Sequence, residues 1–208
     1  MSVPRPPQAV KLVLSLIFRE KEAGAAALGK IQQKYGPVDF VSASLPFNFT
    51  DYYAPEMGDG LRRRMASLAP LISPERLAEV KLWTNQLETQ DLNERNGRKV
   101  NIDPGYLAAS KFILATGKDY GHRIYLGEGI YGDLTLIFQK GSFCALPWTY
   151  PDYASPPLIH LLSLIRKRYM WQLRNPEGRV QTKNSIMWNE TNDEVTLSAG
   201  SEKLKKEL

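Results

Sequence analysis

The chain has 208 residues, a formal net charge of +5 and a pI near 9.2. Hydrophobic residues are 43% and charged residues 24%, the balance of an ordinary globular chain, which excludes a disordered or collagen-like one. The single cysteine, Cys144, excludes an intramolecular disulfide.

Residues 1–9 contain three prolines and read as an extended lead-in. Residues 11–18 are an apolar run bounded by charge, the pattern of a buried strand. Arg19-Glu20-Lys21-Glu22 follows with no small-residue cleavage site, so the run is too short for an export leader, and the cytoplasm is the expected compartment. No apolar run approaches the length of a membrane span. Residues 20–35 carry Ala25, Leu28, Ile31 and Tyr35 at helical spacing, with Gly36-Pro37 as the stop. Residues 38–45 alternate as a second strand, so the first 45 residues predict a βαβ unit with a right-handed crossover.

Residues 46–60 form a loop dense in aromatic rings, including Phe47, Phe49, Tyr52 and Tyr53 around Asp51. A strand is expected over residues 64–71. Ser73-Pro74-Glu75 then opens a helix with Leu77, Val80, Trp83 and Leu87 on its apolar stripe. A short strand is expected at residues 99–102, and Asp103-Pro104 repeats the cap-and-proline signal. A helix is therefore predicted through Leu107, Lys111 and Leu114 to Gly117. Residues 122–126 and 131–139 read as a hairpin turning at Gly127-Glu128-Gly129, and residues 143–146 extend the sheet. A second aromatic loop covers residues 147–153. The last helix carries Leu158, Leu161, Leu162, Ile165, Tyr169 and Leu173 toward the sheet. From residue 175 the pattern dissolves into a polar tail, flexible or weakly docked, whose bulky apolar residues are Met187 and Trp188. The expected organisation is a lead-in at 1–9, one globular domain at 10–174 and the tail at 175–208. The expected fold is an α+β sandwich, a mixed sheet of about five to seven strands with helices mainly on one face. A ferredoxin-like βαββαβ core with an added hairpin is the specific expectation.

Chemistry-bearing patterns are few. Residues 24–30 satisfy G-x-x-x-x-G-K, but Ile31 stands where a P-loop needs Ser or Thr, and the three alanines favour helix. The match is read as helix, not as a nucleotide loop. Arg62-Arg63-Arg64 and Arg166-Lys167-Arg168 are read as solvated faces rather than nucleic-acid patches. Cys144 is read as a small buried hydrophobe, and His160 as a packed histidine at the core edge. No spacing of cysteine or histidine suits a metal.

Two features point to a site. One is the segment 101–133, with Asn101, Asp103, Lys118, His122, Arg123 and Glu128. It offers an acid or base, an anion clamp and carboxylates within a short stretch. If His122 begins a strand, it and Arg123 face opposite sides. The other is the pair of aromatic loops, with Asp51, Tyr52 and Tyr53 in the first and Trp148, Tyr150 and Asp152 in the second. Such loops either stack a ring while a carboxylate bonds hydroxyls, or roof the core under two long connections.

Four stretches carry a family resemblance: Phe47-Asn48-Phe49-Thr50-Asp51-Tyr52-Tyr53, Asn101-Ile102-Asp103-Pro104-Gly105-Tyr106, Lys118-Asp119-Tyr120-Gly121-His122-Arg123-Ile124-Tyr125 and Leu146-Pro147-Trp148-Thr149-Tyr150-Pro151-Asp152-Tyr153. In that order they resemble the bacterial family called domain of unknown function 4416, over about residues 8–173. The resemblance implies a small bacterial protein and a tail outside the shared domain. It assigns no activity and no cofactor.

The leading expectation is a domain that binds an anionic, phosphate- or nucleotide-bearing small molecule in a cleft lined by the aromatic loops. Lys118 and Arg123 hold the anion, the tyrosines and Trp148 stack, and His122 or Asp103 handles protons. Whether the chain is an enzyme stays open. The alternative is a non-catalytic protein-interaction surface built on the aromatic loops and Arg62 to Arg64. RNA binding by the last helix ranks below both, because its basic residues spread around the helix.

Overall fold

The computed structural model describes residues 2–176. The expected tail, with Met187 and Trp188, lies outside the described residues. In chain order the elements are β1 (Val10–Phe18), α1 (Lys21–Tyr35), β2 (Val38–Val41), β3 (Leu45–Pro46), α2 (Ala54–Met57), β4 (Arg62–Ile72), a 3-10 turn (Pro74–Arg76), α3 (Leu77–Glu88), β5 (Val100–Leu107), β6 (Lys111–Thr116), β7 (Arg123–Gly127), β8 (Ile130–Gln139), β9 (Ser142–Ala145) and α4 (Pro156–Arg174).

The strands make one sheet in the order β2-β4-β1-β5-β6-β8-β7, with β3 added on β4 and β9 on β8. Within it, β1-α1-β2-β4-α3-β5 has the strand order β2-β4-β1-β5, the split-βαβ arrangement of ferredoxin-like folds. The β7–β8 hairpin is the expected addition, and β6 and β9 widen it. Every ladder is antiparallel, where a mixed sheet was expected. The reason is that β4 inserts between β1 and β2, so the parallel pair of the βαβ unit never touches.

Alternation along β1 divides the core in two. Val10, Leu12, Leu14, Leu16 and Phe18 pack with Leu28 and Ile31 of α1 and Val80 and Leu87 of α3 on one face. Val13 faces the other way, with Met65, Leu107, Phe112 and Leu136, under Leu158, Leu162, Ile165 and Tyr169 of α4. Two of the three long helices thus share a face. No described helix is long and apolar enough to cross a membrane.

Residues 24–30 lie inside α1, which disposes of the P-loop match. Its two glycines have separate reasons. A Cβ on Gly24 would fall 2.6 Å from a ring carbon of the buried Phe18, whereas one on Gly29 meets nothing within 4 Å. Gly24→Ala should therefore lower stability by about 1–2 kcal/mol, overpacking outweighing helix propensity. Gly29→Ala should raise it by about 0.5–1 kcal/mol. Chemical denaturation of the two variants checks both signs.

The helix expected over residues 103–117 is instead the β5–β6 hairpin. All eight residues of β5 pair with β1, from Val100 opposite Phe18 to Leu107 opposite Lys11. This long ladder overrides the local cap signal at Asp103-Pro104. Pro104 has another role: the β5–β6 ladder ends at Gly105 opposite Leu114, one residue short of it. A residue without an N–H stands where the neighbouring strand departs. The freed edge of β5 is satisfied from α3. Lys81 Nζ donates to Ile102 O at 2.9 Å, and Glu88 Oε1 accepts from Ile102 N at 2.7 Å.

Three further sequence expectations are corrected. Arg63 and Arg64 are each 3% exposed, so the arginine run is no solvated face. It lies within β4, a central strand whose side chains enter both core layers. Cys144 is half-buried on the outer strand β9, not buried. His160 is exposed, because the α4 core positions are Leu158, Leu162, Ile165 and Tyr169 and residue 160 falls on the opposite arc.

Candidate functional site

The register of three strands places the site. Ile17 stands opposite both Arg63 and Asn101, and two residues on Ser15 stands opposite both Met65 and Asp103. Residues directly opposite share a face. Arg63, Ser15, Asn101 and Asp103 are therefore brought to one end of the α4-side face, at the lead-in to α4 that holds Asp152 and Tyr153.

Arg63 is the centre of this cluster. Its Nη2 donates to Asp152 Oδ2 at 2.6 Å. Its guanidinium lies over the Phe47 ring at 4.6 Å and over the Tyr153 ring at 4.8 Å. Its Nε and Nη1 are buried and have no hydrogen-bond partner among the described residues. Burial opposes the charge on Arg63, but Tyr153, Asp152 and Asp103 around it more than offset that and hold its pKa above the usual value. Tyr53 is pushed up by burial and then by the charge of Asp103. Burial also pushes up the Tyr153 hydroxyl. Both phenols stay protonated, so they present O–H groups.

A second layer holds the first aromatic loop in place. Arg98 grips Glu56 through Nε at 2.7 Å and Nη2 at 2.8 Å, and donates through Nη1 to Glu88 at 2.6 Å and Asn101 at 2.9 Å. One guanidinium thus ties α2 to α3 and β5. Asn101 in turn donates to Asp103 Oδ2 at 2.7 Å, and Lys81 reaches Asp103 Oδ1 at 3.3 Å.

The neighbouring wall comes from β7, β8 and the second aromatic loop. Arg123 Nε donates to Asp133 Oδ2 at 2.9 Å, and His122 Nε2 lies 3.2 Å from the same oxygen. His122 precedes β7, so strand alternation does not separate it from Arg123 and the two share Asp133. The imidazole stacks on Trp148 at 5.1 Å and on Tyr120 at 6.3 Å. Trp148 Nε1 donates to Leu134 O at 2.8 Å, which anchors the loop on β8. Lys118 joins the walls: its Nζ lies 4.8 Å over the Tyr52 ring, its carbonyl accepts from Arg123 Nη1, and Tyr52 meets Tyr53 edge-on at 5.1 Å.

The structure thus brings together Tyr52, Tyr53, Asn101, Asp103, Lys118, His122, Arg123, Trp148 and Asp152. Glu128 does not join them; it sits at the tip of the β7–β8 turn with φ +53° and no side-chain partner among the described residues. Asp51 and Tyr150 are exposed in their loops, and neither side chain bonds another member of the cluster. Sequence reasoning missed Arg63, Arg98, Asp133 and Tyr153. The signal for Arg63 was the run that follows Arg64 in the same strand, Met65 to Ile72, which is apolar except for Ser67. Among the described residues no group of three or more His, Cys, Asp or Glu side chains is placed to hold a metal ion.

The groove between α1 and α3 is a different place. It is lined by Ala23, Ala26, Ala27, Lys30, Glu88 and Lys99, among others. Its polar groups are already matched, Lys30 to Gln90, Lys99 to Asp91 and Glu88 to Arg98.

A family model described as Domain of unknown function (DUF4416) matches residues 8–169, a span that holds the whole cluster. The chain belongs to that family. Neither the curated proteins nor the solved structures hold a match to it.

Proposed function

We propose that this DUF4416 domain binds a small anionic ligand, phosphate- or nucleotide-bearing, between its two aromatic loops. The observation that carries the reading is Arg63, a buried guanidinium with two donor nitrogens, Nε and Nη1, unused. Leaving such donors unmet costs about 1–3 kcal/mol each, and an oxygen-rich ligand removes that cost. The exposed rings of Tyr52 and Trp148 and the ammonium of Lys118 surround the approach. His122, with Asp133 behind it, is the group in position to move a proton; Asp103 is already held by Asn101 and Lys81. A bacterial cytoplasmic setting belongs to the same reading, supported by the single cysteine.

The test is a thermal-shift panel of nucleotides and phosphosugars on the wild type and on Arg63→Lys. The lysine keeps the charge beside Asp152 and removes the two unused donors. A ligand at a hundred times its Kd should raise the wild-type Tm by about 5 °C or more. The shift should vanish in the variant. A wild type that responds to none of the panel rejects the reading.

A protein-interaction surface is favoured by a different observation. Ile124 is 72% and Tyr125 59% exposed on the outermost strand β7. Its earlier support, the Arg62 to Arg64 run, is lost because Arg63 and Arg64 are buried. RNA binding loses support too: Arg166 lies on Phe138 and bonds Ala109 O, and Arg168 bonds Asp39.

A further inference from the structure

The charges of the site divide it into two parts. Arg63 is matched by Asp152, Lys81 by Asp103, Arg98 by Glu56 and Glu88, and Arg123 by Asp133. These are five carboxylates against four cations, so the interior has no positive charge to spare, although it is rich in hydrogen-bonding groups. A full anion placed there would be buried without a counter-charge and beside two carboxylates, which is strongly unfavourable. A hydroxyl suits it better. Its oxygen accepts from Arg63 Nε or Nη1, while its proton goes to a carboxylate oxygen of Asp103 or Asp152. Adjacent donors and acceptors of this kind fit vicinal hydroxyls.

Lys118 is the exception in the cluster. It is exposed, bonded to no carboxylate among the described residues, and seated over the Tyr52 ring at the outer edge. It is where an anionic group finds an unspent positive charge and keeps its hydration. The rings of Phe47, Tyr53 and Tyr153 pack around Arg63 between these two ends, and aromatic faces suit the C–H faces of a sugar.

We propose that the ligand is a phosphorylated sugar, with its hydroxyls on Arg63 and Asp103 and its phosphoryl group at Lys118. The proposal rests on the binding reading above and narrows it. Isothermal titration with ribose 5-phosphate, glucose 6-phosphate, the two parent sugars, inorganic phosphate and AMP tests it, on the full chain and on Lys118→Met. The variant lies at the surface and leaves the fold untouched. At least one phosphosugar should bind at least tenfold tighter than both its parent sugar and inorganic phosphate. Lys118→Met should bring that phosphosugar down to within about threefold of the parent sugar, whose own affinity stays unchanged. Inorganic phosphate binding as tightly as the phosphosugars overturns this inference and leaves the anion reading standing. So does AMP binding tenfold tighter than ribose 5-phosphate, since the base and not the sugar is then recognised. Unchanged phosphosugar affinity in Lys118→Met overturns it as well. No binding by any of the six compounds removes both.

Discussion

Asp39→Asn should destabilise the protein by about 3–5 kcal/mol, the cost of stripping the counter-charge from buried cations. At this chain length that is a fall in Tm of about 6–20 °C. Asp39 is 2% exposed and holds together four elements. It accepts from Lys11 Nζ on β1, from Ser67 Oγ on β4 at 2.6 Å and from Arg168 Nε on α4 at 2.9 Å. Lys11, itself fully buried, also donates to Gln172 Oε1 at 2.7 Å. Neutral asparagine leaves Lys11 and Arg168 without their anion. A Lys11→Met, Asp39→Leu double variant should recover a large part of the loss, because it removes the buried pair instead of breaking it. Urea denaturation of the three proteins measures this.

The same lysine sets a pH dependence. Burial, only partly countered by Asp39, brings the Lys11 pKa down from 10.5 to about 8. Between those values the unfolded chain binds a proton that the folded chain does not. Stability should therefore rise with pH from about 8 toward 10, by up to about 3 kcal/mol for this group. Arg168 keeps Asp39 neutralised after Lys11 loses its proton. Tyr35, raised to about 12 chiefly by burial, acts in the opposite sense, but only above pH 10 where the unfolded tyrosine ionises. The rise should be missing in Lys11→Met; a gradient that persists there assigns it to another group.

Arg98→Met should cost about 3 kcal/mol and abolish the ligand response. Arg98 is the tie from the first aromatic loop to the sheet, and its loss leaves the buried Glu88 with a weaker counter-charge. Burial already raises the Glu88 pKa, with Lys81 and Arg98 opposing. Without Arg98, Glu88 takes up a proton more readily, so the variant should lose less against wild type at pH 5 than at pH 8. Limited proteolysis should find new cleavage within residues 47–60, where Glu56 has lost its partner. A variant with wild-type protease resistance and wild-type thermal shifts would show that the loop holds its shape without Arg98.

Most elements were legible because their signals are local. The period of α1 and α4, the Ser73-Pro74 start and the glycine turn between β7 and β8 depend on neighbours in the chain. Residues 103–117 failed because the local signal there is ambiguous. Asp103-Pro104 has the chemistry of a helix start, and Leu107, Lys111 and Leu114 fall at helical spacing. Only the ladder from Lys11 to Phe18 decides for a strand. The insertion of β4 between β1 and β2 was equally invisible, since strand order is a matter of distant pairing.

The candidate site divides along the same line. By itself the sequence determined that two aromatic loops and the segment 101–133 hold the unusual chemistry, because side-chain type and loop composition are local facts. The tertiary structure decided which of those residues meet. It drew in Arg63 from a run that reads as solvent-facing, and it left out Glu128. A β-strand's face depends on register, and register is set by a partner strand far away in the chain. Burial turned an ordinary arginine into a guanidinium with two unspent donors, and no local pattern records burial of that kind.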